Sequence, residues 1–166
     1  VLSPLADIRD SLYNSFISDV VVLGEGSFAQ QMRSKLEQNG VSVLSKESLG
    51  ESCFSVIDLR PLELIWYPQS SLPEMEERAS KMSKEIFLTA QKLAHHENSL
   101  FIVVQSNNAF GKSIHSAKNV KTTAKISALA SGVAGVVRSA SVEWSNSICK
   151  NIDIDSSLSE QSVVDT

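Results

Sequence analysis

Residues 126–144, Ile-Ser-Ala-Leu-Ala-Ser-Gly-Val-Ala-Gly-Val-Val-Arg-Ser-Ala-Ser-Val-Glu-Trp, decide how the chain folds. Apolar side chains recur at Ile126, Leu129, Ala130, Val133, Val136, Val137 and Ala140, the spacing of a helix that buries one broad face. Gly132 and Gly135 each lower helix propensity by about 1 kcal/mol. Their expected return is close approach to a neighbouring backbone, so the stretch reads as a helix packed hard against a sheet. On that reading Gly135→Leu overpacks the contact and destabilises the fold by about 1–3 kcal/mol. Directly behind it, Ile-Cys-Lys-Asn-Ile-Asp-Ile-Asp at 148–155 alternates apolar and polar residues, as a half-buried strand does. A packed helix feeding a strand is half of an α/β unit.

The same unit begins near the amino end. Asp19-Val-Val-Val-Leu-Gly-Glu-Gly-Ser-Phe-Ala29 reads as a buried strand running into Gly24-x-Gly26-x-x-Ala29, with a helix following through Met32 and Leu36 to the Asn39-Gly40 stop. Strand, glycine turn and helix in that order are the context that a dinucleotide fingerprint requires. Gly24 would make the tight turn, Gly26 would let a pyrophosphate reach the backbone, and Ala29 would pack on the strand. The next strand, 41–45, ends at Lys46-Glu47, where that pattern places its ribose-binding acid. The alternative is that the glycines only make a tight turn in a Rossmann-like half that binds nothing.

Two further strands are read at 52–59 and at Leu100–Gln105; the second, apolar throughout, belongs in the middle of a parallel sheet. After the first comes a long connection, Arg60–Pro73, holding Trp66 and Tyr67. Connections of this length are uncommon unless they bind something, and the two aromatics either cover a sheet edge or anchor a partner domain. From Glu74 to His95 an amphipathic helix buries Met75, Ala79, Met82, Ile86, Thr89 or Ala90, and Leu93, with acidic residues early and lysines late to suit its dipole. His95-His96-Glu97 is not a metal site, because adjacent residues point apart on a helix and no third ligand is spaced to help. It reads as a solvated helix end. Ser113–Lys125 has no apolar period and reads as an exposed, mobile loop.

Residues 3–17 carry Leu5, Ile8, Leu12, Tyr13 and Phe16 at helical spacing, a lead-in helix that serves as a linker, a docking element or a wrap across the sheet. The domain proper is then 19–155, between a lead-in segment at 1–18 and an exit linker at 156–166. Five strands alternating with helices give an α/β fold, a truncated Rossmann-like doubly wound parallel sheet, most simply ordered 3-2-1-4-5.

Composition narrows the partners. A chain of 166 residues, 42% hydrophobic and 20% charged, suits one globular domain with a real core. A net charge of −4 leaves no basic stripe for nucleic acid. Runs such as Val20–Leu23 and Leu100–Val104 are too short to span a bilayer, and no signal-peptide pattern opens the chain. The missing initiator Met suggests a piece of a longer protein. Cys53 and Cys149 read as reduced core thiols of a cytoplasmic protein.

Ala134-Gly-Val-Val-Arg-Ser-Ala-Ser-Val-Glu-Trp144 followed by Ile152-Asp-Ile-Asp155 resembles the helix and last strand of the ketoreductase region in polyketide synthases and polyunsaturated fatty-acid synthases. More distantly it resembles the active-site helix of short-chain dehydrogenases. In that superfamily the helix opens with Tyr-x-x-x-Lys, the proton donor and the residue that lowers its pKa. Aligning on Gly135 and Arg138 places those positions at Ile126 and Ala130, neither of which can move a proton. Ser106 lies at the end of the strand that bears the family's catalytic serine, but too far ahead of Ile126, and Asn107-Asn-Ala109 only superficially matches a family motif that belongs one strand earlier.

The resemblance implies a non-catalytic structural subdomain of a synthase ketoreductase. NADPH and the Tyr/Lys pair would belong to a catalytic half beyond Thr166, and the partners would be that half and other synthase domains, without membrane or nucleic acid. Two other readings stand beside it. One is a stand-alone Rossmann-like NAD(P)-binding domain using Gly24, Gly26 and Ala29; the other is an interaction module using Trp66 and Tyr67. No Ser/His/Asp, Cys/His or paired-carboxylate arrangement supports a hydrolase.

Overall fold

A computed structural model describes residues 18–63, 71–106 and 120–154, with the backbone alone at 63, 72, 75 and 120–130. The valine-rich strand β1 (Asp19–Leu23) is buried from Val20 onward and ends where Gly24 takes φ +136°. Helix α1 (Ser27–Gln38) buries Phe28, Ala29 and Leu36. It stops at Asn39, whose side-chain amide donates to Lys35 O at 2.7 Å, and at Gly40, with φ +81°. Strand β2 (Ser42–Leu44) and a single 3-10 turn (Lys46–Ser48) follow, then β3 (Ser55–Asp58) and the one-turn helix α2 (Arg60–Glu63). Helix α3 (Leu72–Leu93) starts at Ser71, whose N–H and hydroxyl both donate to Glu74 Oε2, at 2.8 and 2.9 Å. Strand β4 (Leu100–Gln105), helix α4 (Val120–Glu143) and strand β5 (Ile148–Asp153) complete the described chain.

All five strands are parallel, in the order β2-β1-β3-β4-β5. The doubly wound α/β class read from the sequence is the one observed, but the order 3-2-1-4-5 is corrected. Strand β3 pairs with β1 on the side away from β2, with Val21 opposite Leu44 on one flank and Val56 on the other. The physical reason lies in residues 45–54. They form no crossover helix, only the 3-10 turn and a bridge between Leu49 and Cys53. Those two side chains, 3% and 2% exposed, sink into the same cluster as Val21 and Val56, drawing the chain across β1. The observed order is one of the two common orders of doubly wound sheets, and it lacks the strand expected outside β2.

Helices pack on both faces of the sheet. On one face Ile86, Ala90 and Leu93 of α3 and Val133, Val137 and Ala140 of α4 pack with Val21, Phe101 and Val103. On the other, Phe28, Ala29 and Leu36 of α1 and Leu62 of α2 pack with Val20, Val22, Ile57 and Val104. Of the α3 stripe read from the sequence, Ala79, Ile86, Thr89, Ala90 and Leu93 are buried and Met82 partly so, while the Met75 side chain lies outside the described residues.

Helix α4 departs from its reading in two ways. It begins at Val120, not at 126, because the backbone stays helical through Lys121–Lys125, where no apolar repeat marks it. Its glycines also do not seat it on the sheet. A Cβ at Gly132 would meet only Ser83 Oγ of α3, at 3.4 Å, and one at Gly135 would meet nothing within 4 Å. Residues 1–17, Trp66 and Tyr67 in the 60–73 connection, residues 107–119 and the exit at 155–166 lie outside the described residues.

Candidate functional site at the strand switch point

Connections from β1 and β3 run in opposite directions, so the sheet has its switch point between these two strands. In doubly wound sheets ligands bind outside the carboxyl ends at that place. Three positions of the glycine pattern converge there. Gly24 turns the chain with φ +136°, a conformation that side chains rarely adopt. Gly26 caps α1 in ordinary extended geometry, and a Cβ there would meet nothing within 4 Å. Ala29, 2% exposed, sits in the core beneath. Glu47, the acid following β2, lies in the 3-10 turn. Its own backbone N–H and the Ser45 hydroxyl hold its carboxyl below the usual carboxylate range, with Lys46 and Lys92 adding to the effect.

Two arginines that no motif flagged dominate the polar geometry. Arg33 reaches back from α1, and its Nη2 donates to Gly24 O at 2.6 Å and to Val22 O at 3.0 Å. It therefore satisfies carbonyls at the end of β1. Arg60 in α2 donates from Nε to Asp58 Oδ1 at 2.9 Å, from Nη1 to Glu85 Oε2 at 2.8 Å and from Nη2 to Thr89 Oγ1 at 3.0 Å. A further Nη2 contact to Asp58 Oδ2 makes the Arg60–Asp58 pair two-pronged. Asp58 is fully buried at the end of β3 and also accepts the Arg60 backbone N–H at 3.2 Å. With these donors in place, the carboxylate acts as a strut that ties β3, α2 and α3 together. The sequence signal was faint: an Asp-x-Arg at a strand end, whose partners Glu85 and Thr89 are supplied by a distant helix.

Between the two arginines the switch point is apolar. The Leu59 N–H donates to Leu23 O at 2.8 Å, continuing the β1–β3 ladder one step past Asp58. Leu59 and Leu62 then join Phe28 and Ala29 in one buried cluster. A dinucleotide fits part of this geometry: the turn at Gly24 and the open approach to Gly26 suit a pyrophosphate. Among the described residues, the buried cluster beside α1 is hydrocarbon.

The remaining sequence-read positions are dispersed. Ser106, 4% exposed at the end of β4, has a buried hydroxyl with no hydrogen-bond partner among the described residues. Ile126 and Ala130 fall on the first half of α4, and their side chains lie outside the description. His95 is exposed, whereas His96 is half-buried and stacks on Phe54 with ring centroids 3.7 Å apart, so only part of that pair is a solvated helix end. Among the described residues no group of three or more His, Cys, Asp or Glu could hold a metal ion. Cys53 and Cys149 are free and buried. Burial pushes both thiols up, Cys149 to about 11.

Comparison with family models, curated proteins and solved structures gives no match. The fold therefore defines the class, a five-strand parallel Rossmann-like α/β domain. Among the described residues no helix is long and apolar enough to cross a membrane.

Proposed function

We propose that the chain is a non-catalytic structural subdomain that braces the NADPH-dependent β-ketoacyl reductase of a polyketide or polyunsaturated fatty-acid synthase in the cytoplasm. The reading rests on the resemblance of residues 134–144 and 152–155, and on hydrocarbon at Ile126 and Ala130 where that family carries its proton donor and lysine. One structural observation carries it furthest. At the switch point Arg60 is engaged by Asp58, Glu85 and Thr89, while leucines pack beside α1. Such a domain contributes rigidity: a catalytic constellation must be held within about 0.5 Å, and a packed neighbour limits its drift. NADPH then belongs to the partner half, and the partners are that half and the other synthase domains.

Calorimetric titration with NADPH and NADH tests the reading. No heat of binding is expected from this chain alone, and reduction of a small ketone such as a decalone is expected only once the catalytic half is supplied. Micromolar binding of either nucleotide, abolished by Gly26→Val, would replace it with the second reading, a stand-alone NAD(P)-binding domain using Gly24, Gly26 and Ala29. That alternative draws on the unobstructed helix N-terminus at Gly26.

A further inference from the structure

Helix α1 ends in a cap built on an Asn-Gly pair. The Gly40 N–H donates to Glu37 O and the Val41 N–H to Leu36 O, each at 3.0 Å, the paired bonds of a Schellman motif. Gly40 supplies the left-handed residue that the motif needs, with φ +81°. Leu36 and Val41, 8% and 6% exposed, share one buried cluster, as the apolar pair of such a cap does. The Asn39 side-chain amide closes the end by donating to Lys35 O at 2.7 Å. Asn39 and Gly40 are themselves exposed. The same pair is the most labile asparagine position in the chain. A glycine nitrogen has no side chain to crowd its attack on the preceding amide, and every other asparagine precedes a residue with a side chain.

We propose that Asn39 is a self-modification site, converted to aspartate and isoaspartate when the α1 cap opens. The Gly40 nitrogen attacks Asn39 Cγ and forms an N–Cγ bond, while its proton and the Nδ2 amino group leave together as ammonia. Water then opens the cyclic imide. Breaking the new N–Cγ bond gives aspartate, and breaking the original bond from the Asn39 carbonyl carbon to the Gly40 nitrogen gives isoaspartate. Water is consumed, ammonia is released, and nothing is oxidised or reduced. The closed cap holds the reaction back. Asn39 has ψ +10°, which turns the Gly40 nitrogen away from Cγ, and both reacting groups are held by the bonds to Glu37 O and Lys35 O. Either product carries a carboxylate, which cannot donate to Lys35 O and meets the carbonyl end of the helix dipole. Isoaspartate also inserts Cβ into the main chain just ahead of Ser42, whose N–H donates to Ser18 O at 2.9 Å where β2 joins β1. The change is one-way, so the converted fraction records how long the cap has stood open.

The experiment uses the full chain, incubated at neutral pH in buffer and, in parallel, in urea above its unfolding midpoint. Aspartate and isoaspartate at each asparagine are quantified by peptide mass spectrometry. Conversion at Asn39 is expected in both, ahead of every other asparagine. In buffer it should run about ten- to a hundredfold slower than in urea, because one helix end must open first and the whole fold need not. Leu36→Ala, which weakens the apolar pair of the cap, should raise the rate in buffer severalfold and leave the rate in urea unchanged. Val133→Ala, in the cluster on the opposite face of the sheet, should lower the urea midpoint without changing the rate at Asn39 in buffer. Equal rates in buffer and urea overturn the proposal, as does an Asn39 that stays intact in buffer. Acceleration by Val133→Ala as large as that by Leu36→Ala also overturns it, since the reaction would then require global unfolding. If circular dichroism shows that Leu36→Ala has unfolded, Val41→Ala is read in its place by the same criteria.

Discussion

Arg60 and Asp58 form a two-pronged ion pair at the carboxyl end of β3, with Nε donating to Oδ1 at 2.9 Å and Nη2 to Oδ2. Asp58 has no exposed surface and the Arg60 side chain only 12%. Removing one partner strands a charge that water cannot reach. Arg60→Leu should therefore destabilise the fold by about 3–5 kcal/mol, and Asp58→Asn combined with Arg60→Leu should recover part of that loss. Urea unfolding of the two variants checks this; equal midpoints would show that the pair is not buried as described.

Two glycines in one turn should behave oppositely. Gly24 has φ +136°, so Gly24→Ala should destabilise by about 1–2 kcal/mol. Gly26 has φ −71° and free space before its Cβ position. Gly26→Ser should be neutral or gain a few tenths of a kcal/mol by capping α1. Thermal unfolding of both variants, without any nucleotide, separates the turn requirement from a ligand requirement.

On α4 the overpacking expected of Gly135→Leu gives way to a different outcome. Gly135 is exposed with nothing near its Cβ position, so Gly135→Ala should stabilise by up to about 1 kcal/mol through helix propensity alone. A melting temperature lowered by that substitution would point to a contact that the structure does not contain.

The thiols give stability a pH dependence of definite sign. Burial raises the Cys149 pKa in the folded chain from 9.0 to about 11, and that of Cys53 in the same direction. Below about pH 9 both states keep the proton and the full stability is present. Between about 9 and 11 the unfolded chain ionises first, so stability is lost as pH rises. Cys149→Ala should flatten this window in urea midpoints measured against the parent chain, and a parallel offset across it would contradict the burial of the thiol.

The legible parts of the fold were those with a strong period. Val20–Leu23 and Leu100–Gln105 are apolar runs between turn residues, and the 74–93 stripe repeats with the helix. Each needed only its own residues to be read. Residues 45–54 defeated the reading of strand order because Leu49 and Cys53 are isolated apolar positions with no period, and their burial depends on where β1 lies. Arg33 and Arg60 were invisible for a similar reason: a lone arginine in sequence carries no sign of which carbonyl or carboxylate it will meet.

Local chemistry along the chain was enough to determine the α/β class, the parallel sheet, the glycine turn at Gly24 and the hydrocarbon at Ile126 and Ala130. Only the tertiary structure decided that β3 lies beside β1, that Asp58 is buried against Arg60, and that Gly135 faces open space. The division has a physical cause. Periodicity and turn preference act between residues a few positions apart, whereas strand order and buried ion pairs join residues separated by tens of positions, and only packing brings those together.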